Sequence, residues 1–136
     1  MTKNRVVHFE VQANDVERAK EFYEKAFGWK INMAMSKAKG EIMDYWIIMT
    51  GEKGEPGING GLYERPMSEA DGERYYLFDC TIEVENIDEA IKAVKDAGGT
   101  ITREKSELPE VGWFASAKDT EGNRFSLMQS TMKEPR

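Results

Sequence analysis

The chain has 136 residues, 40% of them hydrophobic and 32% charged, with 19 basic against 25 acidic side chains and a net charge of -6. That is the length and make-up of one water-soluble globular domain, with no apolar run approaching the roughly 20 residues that span a bilayer. The acidic balance opposes the counterion release that drives nucleic-acid binding, so nucleic acid is excluded as a partner and a membrane is not expected. The opening "MTKN" leads straight into a strand pattern without the apolar core of a secretory signal. Cys80 is the only cysteine, so an internal disulfide is impossible and a reducing cytoplasm is the expected setting.

The first element is a strand around "VVHFEV", residues 6–11, which holds the only histidine of the chain, His8. Its alternation sends Val7, Phe9 and Val11 to one face and Val6, His8 and Glu10 to the other. A helix follows, with Val16, Ala19, Phe22, Tyr23, Ala26 and Phe27 as its apolar stripe, and Gly28 marks its end. Asn14 with Glu17 reads as a capping box at its start. Three strands are expected near 30–35, 42–49 and 58–64, broken by "SKAKGE" and "TGEKGEPG". The polar stretch "ERPMSEADGE", residues 64–73, reads as a linker.

Past the linker the pattern repeats. "HFEVQANDVERAKEFYEKAFG" (8–28) aligns with "TIEVENIDEAIKAVKDAGG" (81–99), and Asn86 with Glu89 opens the second helix as Asn14 with Glu17 opens the first. Ile87, Ala90, Ile91, Val94 and Ala97 form its stripe, and Gly98-Gly99 its stop. Strands near 99–104, 111–117 and 123–130 follow, separated by "SELPE" and by "DTEGN", which reads as a hairpin turn rather than a calcium loop. The expected fold is α+β, with two tandem βαβββ modules whose mixed sheets curl around a shared concave cavity. The whole chain, 1–136, is one domain: module one at about 4–64, the linker at about 65–74 and module two at about 75–131.

Helices cover one face of each sheet, so the opposite parity lines the concavity. That places His8 and Glu10 there, with Asn59, Gly61 and Tyr63 from module one and Asp79, Thr81, Glu83, Arg124, Ser126 and Met128 from module two. Cys80, Ile82 and Val84 take the helix side. Parity does not fix the faces of Trp46, Trp113 and Phe114, although all three lie on strands that surround the cavity; Trp29 is expected to pack the helix end. Cavity walls rich in aromatic rings suit a flat apolar or aromatic molecule.

The segments "VVHFEVQANDVERAKEFYEKAFGW" (6–29) and "VGWFASAKDTEGNRFSLMQ" (111–129), with "GGLYERP" between the modules, resemble the vicinal oxygen chelate superfamily, also called the glyoxalase/bleomycin resistance/dioxygenase fold. The resemblance covers roughly residues 4 to 130 and implies a homodimer. It also implies a metal site, because metal-using members draw one ligand from the first and last strand of each module. Carried over, those four positions hold His8, Gly61, Thr81 and Ser126. Glycine offers no side chain and hydroxyls are poor sole ligands for a transition metal, so no metal cofactor is expected. Glu10 and Glu83 share the inward parity and are the further metal candidates beside His8, though carboxylates near strand ends usually stay solvated.

The reading this supports is a glyoxalase/bleomycin-resistance-like protein that binds a small organic molecule without a catalytic metal. His8, Tyr63, Thr81, Trp113, Ser126 and Met128 are its ligand-binding residues, with His8 also the catalytic candidate as general base. The alternative is a metal-dependent lyase or isomerase of the glyoxalase type, similar to lactoylglutathione lyase. A third possibility is a closed cavity in a domain that serves only protein association.

Overall fold

The computed structural model describes residues 4–66 and 78–131. Eight strands and two helices follow the order β1 (Arg5–Ala13), α1 (Val16–Phe27), β2 (Lys30–Met35), β3 (Tyr45–Met49), β4 (Asn59–Glu64), β5 (Asp79–Glu83), α2 (Ile87–Asp96), β6 (Thr100–Leu108), β7 (Gly112–Lys118) and β8 (Arg124–Ser130). This is βαβββ twice, as the repeat predicts. The linker expected at 65–74 falls mostly outside the described residues.

The chain divides into two compact units, one of His8–Phe78 and one joining Asp79 onward with the residues up to Val7. The second unit therefore includes the start of β1, where the Asn4 amide donates to the Glu83 carbonyl at 2.7 Å. Within the first unit the strands lie in the order β2-β3-β4-β1, and within the second β5-β8-β7-β6. Pairing within each unit is mixed: β1 runs parallel to β4 and β5 parallel to β8, while β2–β3, β3–β4, β6–β7 and β7–β8 are antiparallel. A parallel pair cannot be closed by a tight turn, so the helix and two further strands of each module form the connection between its members.

Each unit has its own core. In the first, Phe9, Val11, Ala13, Ile31, Ile48 and Leu62 are buried together, and Val16, Ala19 and Tyr23 of α1 pack onto them. In the second, Val84, Ile87, Ala115 and Leu127 play that part, with Ala90, Ile91 and Val94 of α2 against them. The alternation of β1 and β5 is thus as expected, with Phe9, Val11, Ile82 and Val84 under the helices. The α1 stripe is narrower than its spacing suggests: Phe22 and Phe27 remain 58% and 61% exposed. Phe22 lies at the margin of the stripe, and Phe27 is the last residue of the helix, where its ring meets Tyr23 and Trp29 instead of the sheet. Trp29 stacks on Tyr23 with ring centres 5.1 Å apart, closing the helix end.

Helix starts differ from expectation in one case. Asn86 caps α2 by accepting from the Glu89 amide. The cap of α1 is Asp15, which accepts from the Arg18 amide at 3.0 Å, not Asn14. Asn14 instead accepts from Arg65 at 2.7 Å. The two extra residues of the first strand-to-helix connection move the cap one place along the chain. Gly28 ends α1 in the left-handed conformation, φ 72, with its amide on the Glu24 carbonyl, as a C-terminal cap requires.

In the second unit β6 runs to Leu108, through the start of "SELPE". The break is a tighter turn: the Val111 amide donates to the Leu108 carbonyl, with Pro109 and Glu110 between them and Glu110 at φ 67. "DTEGN" is a turn as expected, held by Asp119, which accepts from the Glu121 and Asn123 amides and the Asn123 side chain.

Candidate functional site

The helix-free face of the first unit brings together residues from three strands. Glu10 of β1 lies opposite Gly61 of β4, and Gly61 lies opposite Ile47 of β3. Since Trp46 and Ile48 turn to the core, Tyr45 and Ile47 take the other face, where His8 and Glu10 also point. Tyr45 reaches across and sets its hydroxyl 3.0 Å from both Glu10 carboxylate oxygens and 3.0 Å from His8 Nε2. His8 Nε2 is also 3.2 Å from Glu10 Oε1, and both side chains are only 16% exposed. The result is a hydrogen-bonded group of imidazole, carboxylate and phenol.

Gly61 makes this group possible. A Cβ built there would overlap the Tyr45 hydroxyl and lie 2.6 Å from Glu10 Oε2. The space that a side chain at position 61 would occupy is therefore filled by the phenol of another strand. Beside it, Tyr63 accepts a hydrogen bond from Gln12 at 2.7 Å, and its ring lies 6.2 Å from that of Tyr45. Tyr63 thus shares the His8 face, as its parity predicts, and Glu10 is drawn into the protein rather than left solvated at a strand end.

In the second unit the helix-free face carries Asp79, Thr81 and Glu83 of β5, Arg124, Ser126 and Met128 of β8, and Phe114, Ser116 and Lys118 of β7. This fixes Phe114 on the side of Met128. Thr81, Ser126 and Met128 are 2%, 1% and 5% exposed, and Glu83, expected to be solvated, is buried as well. Ser116 and Ser126 bring their hydroxyls to 3.4 Å. The Thr81 hydroxyl is buried without a hydrogen-bond partner among the described residues. Asp79 and Arg124 form a buried ion pair, Nε to Oδ2 3.1 Å.

Trp113, expected among the ligand-binding side chains, lies on the other face, packed against the core under α2 with Lys105 Nζ 4.4 Å above its ring. Trp46 is likewise a core residue. Cys80 is half-buried. Sequence reasoning missed Tyr45 altogether. The signal was present in the alternation of β3, but the reach of a phenol into the space above a glycine on the neighbouring strand depends on register, which a single sequence does not supply.

Of the four positions at which the resemblance implies metal ligands, only His8 bears a group suited to a transition metal, and its Nε2 is already engaged by Glu10 and Tyr45. Among the described residues no three His, Cys, Asp or Glu side chains converge. This donor set does not fit the metal that the fold implies.

Two βαβββ repeats, each a mixed sheet under one helix, define the class: an α+β protein of tandem modules. The chain belongs to the Glyoxalase/Bleomycin resistance protein/Dioxygenase superfamily, whose pattern it matches over residues 5–127. A glyoxylase-like domain-containing protein of Didymella fabae is 32% identical over 123 residues, which cover 87% of this chain and 88% of that one. Among solved structures the chain is similar to a variant of Streptomyces coelicolor methylmalonyl-CoA epimerase in complex with 2-nitronate-propionyl-CoA, with a TM-score of 0.67 at 17% identity over 99% of this chain and 100% of that one. Mycobacterium tuberculosis methylmalonyl-CoA epimerase gives 0.65 at 14% identity, over 96% and 91%. At these identities the structural likeness is one of fold.

Proposed function

We propose that this chain binds a small, flat organic molecule on the helix-free face of module one and does so without a catalytic metal. The observation that carries the reading is the filled space above Gly61, where the Tyr45 phenol stands in place of a ligating side chain and turns His8 and Glu10 toward each other. Tyr45 and Tyr63 offer ring surface for an apolar or aromatic frame, and His8, held by Glu10, the polar anchor. In module two Thr81, Ser126 and Met128 are the matching set, with the Thr81 hydroxyl the group there that has a hydrogen bond to give. Superfamily membership supports the other reading, a metal-dependent lyase or isomerase of glyoxalase type, but that chemistry needs a donor set these residues do not form.

The test is a titration of the full chain, stripped with chelator, against Ni²⁺, Zn²⁺ and Mn²⁺. Calorimetry should find no saturable binding and the melting temperature should not move; native mass spectrometry of the protein as isolated should show retained organic mass. Tight binding of one of these ions, abolished by His8→Ala and accompanied by turnover of the methylglyoxal–thiol hemithioacetal, would establish the enzymatic alternative instead. A homodimer is also proposed, to be checked by light scattering. No described helix is long and apolar enough to cross a membrane.

A further inference from the structure

While the Glu10 carboxylate is ionised, the contacts among His8, Glu10 and Tyr45 place a proton on His8 Nε2. The Tyr45 hydroxyl has one proton and directs it to Glu10, whose two oxygens are each 3.0 Å away. An ionised carboxylate has no proton to return. His8 Nε2 makes two contacts in this group, to Glu10 Oε1 at 3.2 Å and to the Tyr45 oxygen at 3.0 Å. Both are acceptor groups, so both contacts are hydrogen bonds only if Nε2 carries a proton. A neutral imidazole protonated at Nε2 keeps its lone pair at Nδ1. Nδ1 makes no hydrogen bond among the described residues.

We propose that Glu10 and Tyr45 hold His8 as its Nε2–H tautomer, so that Nδ1 is the proton-accepting atom of the site and the ligand is a flat conjugated molecule with one acidic O–H, a phenol or an enol. This rests on the binding reading above and names the class of molecule bound. When the ligand donates fully, its O–H bond breaks, an N–H bond forms at Nδ1, and the electron pair stays on the ligand oxygen as phenolate or enolate. The positive charge gained by the ring is then met by the Glu10 carboxylate on its far side. The Glu10 carboxylate and the Tyr45 hydroxyl are positioning groups in this scheme, since they act through the imidazole. The same proton at Nε2 occupies the lone pair of that nitrogen and leaves Nδ1 as the one acceptor of the ring; the poor fit to an ion rests on the lack of further donors among the described residues.

The chain contains a single histidine, so labelling with ¹⁵N-histidine yields one pair of ring nitrogens, with no assignment problem. In the 136-residue chain with the ring neutral we expect a protonated Nε2 whose hydrogen exchanges slowly enough with water to be seen directly, and an unprotonated Nδ1. Tyr45→Phe, which removes one acceptor, and Glu10→Gln, which removes the charge of the other, should each accelerate that exchange by about tenfold. Added phenol should move the Nδ1 resonance, and anisole, which has the ring without the donor, should not. A proton on Nδ1, an Nε2 hydrogen exchanging as fast as in a solvated imidazole, or an Nδ1 resonance unmoved by phenol would each overturn the proposal. The metal titration fails independently of these signals: an ion bound elsewhere in the chain would defeat the metal-free reading and leave this ring pattern unchanged.

Discussion

At the scale of single residues, Gly61 decides what the site is. A methyl group there would collide with the Tyr45 ring and the Glu10 carboxylate, so Gly61→Ala is expected to cost about 1–3 kcal/mol, the usual penalty of overpacking. On a Tyr45→Ala background the same substitution should be close to neutral, and a double-mutant cycle read by chemical denaturation measures that coupling. Asp119 gives a second expectation. Hydrogen bonds from the Asn123 side chain, then from the Asn123 and Glu121 amides, hold its carboxyl below the usual range. A carboxyl lowered on folding contributes stability that is present above its unfolded pKa of about 3.9 and is lost as pH falls through the lower folded value. The carbon resonance of the Asp119 carboxyl should therefore titrate with a midpoint below that of the unfolded chain, and Asp119→Asn should remove this part of the acid sensitivity. The place of His8 beside Glu10 on the helix-free face was legible from strand alternation alone. That of Tyr45 was not, because it arises from what faces it across two strands rather than from its neighbours in the chain.

Among the elements, both helices were legible from apolar spacing, and their stops from Gly28 and Gly98-Gly99. Their starts were less so. Asn14 and Asp15 are both good capping residues, and only the backbone geometry of the longer connection selects Asp15. Asp15→Ala should accordingly cost about 1 kcal/mol in thermal or denaturant unfolding, while Asn14→Ala should leave the α1 cap intact. In the β6–β7 turn Glu110 holds a left-handed backbone that suits glycine or asparagine better. Glu110→Gly is expected to stabilise the protein by about 0.5–1 kcal/mol, seen as a raised denaturation midpoint. The extension of β6 to Leu108 was hidden by Pro109, which reads as a break several residues wide but acts here only at the turn itself.

For the whole chain, the duplication was the most informative signal, since it brought eight strands and two helices into one scheme without any structural input. Its equivalences hold at depth: Leu62 in the last strand of module one and Leu127 in the last strand of module two are both buried, one in each core. Leu62→Ala and Leu127→Ala should each cost about 2–5 kcal/mol, so that neither module tolerates truncation better than the other. What the repeat could not convey is the difference between its halves. Module one gathers His8, Glu10 and Tyr45 into a mutual hydrogen-bonded set, while module two buries hydroxyls and an Asp79–Arg124 pair on the equivalent face. Equivalent backbones with divergent side chains are the expected outcome when packing constrains the core and chemistry alone constrains the opposite face.

The overlap above Gly61 also bears on how such a protein changes over evolutionary time. A carboxylate or imidazole introduced at that position has no room until the phenol departs, and the phenol's departure alone strips His8 and Glu10 of their shared partner. Gaining a ligating side chain at position 61 therefore takes two coordinated changes, one at 61 and one at 45.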